Sequence, residues 1–232
     1  MNKVKTCVPA VFAGLLLPVA ANSLEAGAWL LRAGLSHVDP RENSGPVELN
    51  GSALSLAGGR SSVGLDGDTQ LGFTIAYMLD ARWGIELLAA TPFRHRVSGG
   101  GELEGLDIAD FRQLPPTLSA VYHLAPRGAV QPYVGIGLNY TAMFDEELTS
   151  EGDAALSDLG LTGGEIKLNN AFGLSAQLGA DYQLTGRWAA NASLRWIYLR
   201  SEAEIRFDGG ERMTVDVDVD PWVYSIGLAY RF

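Results

Sequence analysis

The chain has 232 residues, of which 47% are hydrophobic and only 19% are charged, and its formal net charge at pH 7 is −10. This acidic balance argues against a protein that binds nucleic acid. The only cysteine, Cys7, lies near the N-terminus, so the rest of the chain has no disulfide and no thiol chemistry. The 28 glycines are typical of a protein built from turns and alternating strands.

The first residues have the pattern of a secretory signal peptide. Two lysines precede an apolar run of 15 residues, 7–21, and small residues follow at the positions that a signal peptidase reads. The run is too short to cross a bilayer as a helix. We expect residues 1–23 to be a signal peptide and residues 24–232 to form one domain.

After the signal, apolar and polar residues alternate with a period of two, which predicts β-strands with two different faces. The predicted strands cover residues 26–38, 70–79, 83–97, 111–124, 130–144, 170–183, 188–207 and a last strand from residue 214. Short turns alternate with long loops rich in Gly, Ser and Asp, at residues 39–69, 98–110 and 145–169. This asymmetry is typical of outer-membrane barrels, whose periplasmic turns are short and whose extracellular loops are long.

The last strand shows the alternation most clearly. Its large face carries Trp222, Tyr224, Ile226, Leu228, Tyr230 and Phe232. Large apolar residues with aromatic rings near the ends of the strand fit a face in contact with lipid. Because an open sheet would leave backbone groups unpaired in lipid, a membrane protein with this pattern must be a closed barrel. We therefore predict an all-β, eight-stranded, antiparallel, up-and-down transmembrane barrel in the outer membrane, although a soluble eight-stranded barrel has the same periodicity.

Several motifs resemble the OmpW family. They are GIELLAATPFRH, LPPTL, QPYVGIGLNYT, LSDLGL, DPWV and the final YRF. The resemblance covers nearly all of the chain after the signal. Members of that family are eight-stranded barrels associated with the passage of small hydrophobic molecules, and its AlkL branch is associated with alkane uptake. The resemblance implies a channel of this class, in contact with outer-membrane lipid and assembled by the barrel-assembly machinery through the strand that ends at Phe232.

Strand parity predicts a polar interior. The residues assigned to an interior polar plug are Glu86, Arg94, Gln177, Asp181, Arg195 and Arg231. Since eight strands enclose a space that side chains nearly fill, and since an unpaired ion there is costly, these charges are expected to pair. The plug either only holds the barrel together or also contributes to selectivity.

Apolar residues near this plug predict a substrate pocket. Leu88 is an inward apolar residue of the third strand, and it either packs as filler or forms the floor of a pocket that opens outward. Leu54 and Leu56 of the first loop would line the entrance to that pocket.

Three prolines fall in the outer parts of neighbouring strands. Pro92 lies in the third predicted strand, and Pro115 and Pro116 lie in the fourth. Proline has no N–H to donate to a β-ladder, so the pairing between these strands is expected to be weak there. The interruption is either a simple strand end or bulge, or a lateral exit seam from the barrel into the membrane.

No pattern indicates an enzyme, a metal site or a cofactor. The histidines at positions 37, 95 and 123 have no second ligand at metal-binding spacing. The aspartates at 216, 218 and 220 lack the glycine and the glutamate of a calcium loop, and no motif marks a nucleophile. Three hypotheses remain, which are a channel for small hydrophobic molecules, a structural or adhesive barrel whose loops bind an external partner, and an enzyme acting on lipid.

Overall fold

The computed structural model describes residues 24–41, 43–54, 61–101 and 104–232, so the predicted signal peptide lies outside the described residues. The elements, in chain order, are β1 Trp29–Asp39, β2 Asn43–Ser44, β3 Glu48–Leu49, β4 Ser52–Ala53, β5 Ser61–Leu65, β6 Asp68–Met78, β7 Trp83–Ala90, β8 Phe93–Gly101, β9 Asp107–Leu114, β10 Thr117–His123, β11 Val130–Leu148, α1 Ser150–Asp158, β12 Glu165–Leu168, β13 Ala171–Gln183, β14 Trp188–Tyr198, β15 Arg200–Arg206, β16 Arg212–Asp218 and β17 Trp222–Arg231. Within these ranges, no helix has the length and apolar character needed to span a bilayer.

Eight of the strands close into a single antiparallel barrel. Their order around the wall is β1, β6, β7, β10, β11, β13, β14 and β17, and β17 pairs with β1 again. Wall strands that follow one another along the chain are neighbours, which is the up-and-down arrangement. The predicted fold class is therefore confirmed.

Short turns join the wall strands at the periplasmic end. In the turn between β6 and β7, the Asp80 carboxylate accepts hydrogen bonds from the backbone N–H groups of Arg82 at 2.7 Å and Trp83 at 2.8 Å. Such side-chain bonds to the following backbone favour a tight turn.

The outward face of the wall is a band of large apolar side chains bounded by aromatic pairs. Near the periplasmic turns, the ring centroids lie 4.9 Å apart in Trp29–Tyr77, 4.9 Å apart in Trp83–Tyr122 and 4.8 Å apart in Trp188–Tyr230. At the other edge, the rings of Tyr140 and Phe172 lie 4.8 Å apart. Aromatic rings at both edges of an apolar band are the girdles of a transmembrane barrel.

The predicted long loops contain regular structure. Strands β5, β8, β9 and the outer half of β11 extend one side of the wall, while β15 and β16 form a second sheet with β12 and the short strands of the first loop. Helix α1 lies against β9, where Gly152 fits because a Cβ would come within 2.3 Å of the Ile108 carbonyl oxygen. These extensions enclose the space above the membrane-spanning part of the barrel.

Candidate functional site: an outer apolar cavity, a buried ion network and a break in the wall

An apolar cavity of about 320 Å³ lies between the extracellular extensions. Its lining includes Leu54 from the first loop, Leu65 of β5, Phe111 of β9, Leu156 of α1 and Val217 of β16. Leu54, which was predicted from the sequence to lie at the pocket entrance, thus lines this cavity. Leu56 lies outside the described residues.

A buried apolar cluster forms the floor of this cavity. We call it the floor cluster, and its buried members are Val38, Phe93, Ala171, Ile197, Leu199, Val219 and Val223. Leu65 and Val217 pack against it and also line the cavity, so the two are continuous. Phe93, whose exposed fraction is 1%, is the largest of its side chains.

Leu88 does not form the floor. It is buried, but it lines a small space of about 30 Å³ together with polar residues that include Arg32, Glu86 and Arg195. The pocket-floor interpretation of Leu88 is therefore corrected, and its position favours the filler interpretation. The strand continues past Leu88 to Phe93, which occupies the floor position instead.

Below the floor cluster, buried charges form what we call the ion network, made of Arg32, Glu86, Gln177, Asp181 and Arg195. The Arg32 guanidinium lies 2.7 Å from one Glu86 oxygen and contacts both oxygens of Asp181, at 2.7 and 3.1 Å. The other Glu86 oxygen accepts from Arg195 at 2.9 Å and from the Gln177 amide at 3.0 Å. Two arginines thus balance two carboxylates in a site where all five side chains are buried.

Further polar groups fix the geometry of the ion network. Asn191 donates to Asp181 at 2.8 Å and to the Tyr133 hydroxyl at 3.0 Å. The Arg32 guanidinium lies 4.7 Å from the Tyr133 ring centroid, within the range of a cation–π contact. Arg32 was not assigned to the interior from the sequence because the Leu30–Leu31 doublet obscures the alternation of β1. In the structure Leu31 and Leu35 are exposed, so Arg32, which follows Leu31 directly, faces inward.

Arg231 is an inward residue of the periplasmic end. Its guanidinium donates to the carbonyl oxygen of Gly186 at 3.1 Å, in the turn between β13 and β14. The structure thus brings four of the six predicted plug residues into the ion network and places Arg231 nearer the periplasm.

The sixth residue, Arg94, faces outward, so its assignment to the interior is wrong. In the wall Leu88 pairs with Thr117, but further out Phe93 pairs with Gln113. Four residues on the β7–β8 side thus face three on the β9–β10 side, which is a β-bulge. The extra residue inverts the parity of the strand, so Phe93 is buried and Arg94 is exposed.

The bulge coincides with the predicted seam. No ladder pair joins residues 89–92 to residues 114–116, both of which lie in the described part of the chain. Pro92 lies in the first of these stretches, and Pro115 and Pro116 lie in the second. The ladder is therefore interrupted at these three prolines, at the level of Phe93 in the floor cluster, and this interruption by itself agrees equally with a simple bulge.

The strands on either side of the seam remain anchored to their other neighbours. The Thr91 N–H donates to the Leu71 carbonyl oxygen of β6 at 2.9 Å. On the other side, the buried Asn139 amide donates to the carbonyl oxygens of Pro115 at 3.3 Å and Pro116 at 3.4 Å. A protein group thus satisfies backbone acceptors at the break, as a wall in contact with lipid requires.

His95 supports the wall between the cavity and the outer surface. Its Nδ1 lies 2.6 Å from the Asp66 carbonyl oxygen, which can only accept, and its Nε2 lies 2.8 Å from the Gln113 amide nitrogen. These contacts define a neutral ring that donates at Nδ1 and accepts at Nε2. Burial lowers the pKa of His95, against the raising effects of that carbonyl and of the Asp66 and Asp68 carboxylates. In the described residues, no group of three or more His, Cys, Asp or Glu side chains is placed to hold a metal ion.

Comparisons with known proteins agree with this architecture. The sequence profile of the OmpW family matches residues 25–232. Outer membrane protein W of Vibrio cholerae serotype O1 is 38% identical over 97% of this chain and 98% of its own length. The dibenzothiophene metabolism operon protein PahQ of Pseudomonas aeruginosa is 26% identical over 90% of both chains.

A solved structure agrees as well. The crystal structure of the outer membrane protein OprG from Pseudomonas aeruginosa superposes with a TM-score of 0.80 at 40% identity, covering 90% of this chain and 98% of that one. None of these three names designates an enzyme. This chain is an outer-membrane β-barrel, and it belongs to the OmpW family.

Proposed function

We propose that this barrel is a passive channel that takes small hydrophobic molecules from outside the cell and releases them sideways into the outer membrane. The observation that carries the proposal is the vertical order of three features. An apolar cavity lies outermost, the floor cluster and the wall seam lie at one level below it, and the ion network lies deeper still.

The cavity is chemically suited to an apolar guest. About 320 Å³ is at the lower end of the range for small-molecule pockets, which are mostly apolar. An adhesive barrel needs no enclosed apolar lining, so the cavity favours a channel over an adhesin. This chain resembles PahQ along most of its length, and the full name of PahQ includes dibenzothiophene, which is a small apolar compound.

The ion network makes a route straight down the barrel unfavourable. A hydrophobic molecule that left the cavity for the periplasm would have to pass paired charges and then re-expose its apolar surface to water, at ~0.8 kcal/mol for each CH₂ group. Displacing Arg32 would also leave the buried Asp181 carboxylate without its ion-pair partner, which costs about 3–5 kcal/mol.

A sideways route avoids both costs. Phe93 belongs to the floor cluster and follows Pro92 directly, so the apolar region under the cavity adjoins the seam. Lipid tails lie on the other side of the wall. A molecule that moves past Phe93 therefore exchanges one apolar environment for another.

Uptake by cells tests the proposal. Cells that express the protein should take up a fluorescent hydrophobic reporter faster than cells without it. In a variant with Pro92→Ala, Pro115→Ala and Pro116→Ala, new N–H donors allow the ladder to close, and uptake should slow at an unchanged amount of folded barrel. Pro126→Ala, in a periplasmic turn, is the matched control and should leave uptake unchanged. If the triple variant takes up the reporter at the unmodified rate, the lateral route is excluded.

A further inference from the structure

The outer surface of the β8–β9 hairpin carries two arginines directly opposite each other. Arg94 pairs with Arg112 in the antiparallel register of these strands. Like charges at directly opposite positions destabilise a sheet. The fold therefore gains nothing from this pair, and its cost suggests a ligand that both cations share.

The two arginines differ in whether a carboxylate balances the charge of the guanidinium group. Arg112 forms an ion pair with Asp145 at 2.9 Å, and both side chains are about half exposed, at 40% and 57%. Arg94 uses its backbone N–H to donate to the Asp68 carboxylate at 2.8 Å. Among the described residues, no carboxylate lies within ion-pair distance of the Arg94 guanidinium. Arg94 thus presents an exposed, planar set of donors to the outside of the barrel.

The pair lies just beyond the outer edge of the lipid-facing band, because Arg112 pairs with Phe144, four residues past Tyr140 on β11. The exposed Leu71 side chain belongs to that band, and its strand is tied to Thr91 through the hydrogen bond described above. Arg94 follows three residues after Thr91, which is roughly 10 Å along the strand. Phe144 of β11 pairs with Arg112 and continues this row with a partly exposed ring. An arginine pair beside an aromatic ring at this height is level with the head groups of the outer leaflet.

The charges of this surface are ordered from the membrane outward. The arginine row is nearest the membrane, whereas Asp110 and Glu147 pair with each other two residues further out. Arg96 lies at the level of Asp110 and forms an ion pair with its carboxylate at 2.9 Å. The row borders an open cleft of about 680 Å³, to which Asp66, Asp145 and His95 also contribute. Arg94 and Arg112 are therefore the cations of this surface nearest the membrane, and the carboxylates of Asp110 and Glu147 lie further out.

We infer that Arg94 and Arg112 bind the phosphate groups of phosphorylated glycolipid in the outer leaflet. Arginine forks bind phosphate oxygens with two parallel hydrogen bonds, and such contacts are stronger than neutral ones. Basic clusters at a membrane surface recognise anionic head groups by the same charge complementarity. The bound lipid would lie against the wall directly above the seam. The inference does not depend on the lateral route, because it rests on the outer surface alone.

Lipid binding to the purified full-length barrel tests this site. The barrel is placed in nanodiscs of phosphatidylcholine that contain bis-phosphorylated lipid A, and bound lipid A is counted by native mass spectrometry over a concentration series. Replacing both residues, by Arg94→Gln and Arg112→Gln, should weaken binding by about tenfold or more, because charge-assisted hydrogen bonds are lost. The double Arg→Lys variant should retain part of the affinity. Arg200→Gln, which removes an exposed arginine of β15, should leave it unchanged.

Two further arms identify the source of the phosphate. Fully dephosphorylated lipid A should bind equally weakly to the parent and to the double Gln variant. Inorganic phosphate in the buffer should displace lipid A only weakly, because the aromatic row and the lipid chains contribute to the complex. Equal binding of lipid A to the parent and the double variant would overturn the inference. So would binding of dephosphorylated lipid A to the parent as tightly as bis-phosphorylated lipid A, or full displacement by inorganic phosphate, which would indicate a site for free anions.

Discussion

Replacing Glu86 by glutamine should destabilise the barrel strongly, although the side chain keeps its size. Glu86 is 1% exposed and contacts both arginines of the ion network, Arg32 at 2.7 Å and Arg195 at 2.9 Å. The substitution leaves Arg32 with Asp181 as its ion-pair partner and leaves Arg195 beside the neutral Gln177. An uncompensated buried charge costs about 3–5 kcal/mol. Since ~1.4 kcal/mol is a tenfold change, the unfolding equilibrium constant should rise by about two to four orders of magnitude.

Urea unfolding in lipid vesicles, followed by tryptophan fluorescence, measures this loss. The matched control is Asp218→Asn, which breaks an ion pair with Arg200 at the same 2.9 Å but with side chains that are 67% and 45% exposed. That control should cost no more than about 1 kcal/mol. Adding Arg195→Met to Glu86→Gln removes the unpaired cation and should recover part of the lost stability. If Glu86→Gln were no more destabilising than the control, the ion network would not be the buried, coupled unit described above.

Three other predictions concern the ion network, the floor cluster and His95. In planar bilayers the purified barrel should show little steady ion conductance, and a stable current like that of a general porin would show that the ion network leaves an open path. Phe93→Ala removes the largest side chain of the floor cluster and should raise reporter uptake per folded barrel severalfold, whereas unchanged uptake would place the route elsewhere. Burial lowers the pKa of His95 below its ordinary value of 6.5, so its stabilising contribution is complete above 6.5 and is lost as the pH falls from there through the lowered pKa of the folded protein. Protection from hydrogen exchange in the β8–β9 hairpin, corrected for the intrinsic exchange rate at each pH, should therefore be lower at pH 5 than at pH 7.5, and His95→Gln should remove the difference.

The wall of the barrel could be predicted from the sequence because it follows local rules. A strand in contact with lipid must alternate, and the turns between strands are short and specific, so all eight wall strands overlap predicted strands. Four of the predicted strands, 83–97, 111–124, 188–207 and the last one from residue 214, extend well beyond the wall. The extracellular extensions could be predicted only in part. β15, most of β16 and half of β9 lie in predicted strands, whereas β5 and the end of β8 lie in predicted loops, because their glycines carry little β-propensity. These segments pair because the wall strands below them already hold them side by side.

The misplaced site residues share one physical cause. Parity counting assumes an uninterrupted ladder, and it gave correct sides for Glu86, Gln177 and Asp181, which all precede any break in their strands. It failed at Arg94 because the intervening bulge adds a residue. The same shift brought Phe93 rather than Leu88 to the floor of the cavity. The bulge beside Pro92 therefore reverses the inward and outward positions beyond it, whereas Pro132 lies in β11 without any shift of register.

The bulge at Pro92 also makes the closure of the wall independent of the faces of the second hairpin. Deleting one residue from positions 89–92 would leave three residues opposite residues 114–116, so the ladder could continue evenly from Leu88 to Phe93. Phe93 and His95 would still face inward and Arg94 would still face the medium, because four steps along a strand return to the same face. In chains of this architecture, a one-residue deletion at the seam should therefore change the continuity of the wall, while the contents of the cavity and the charge of the rim stay the same.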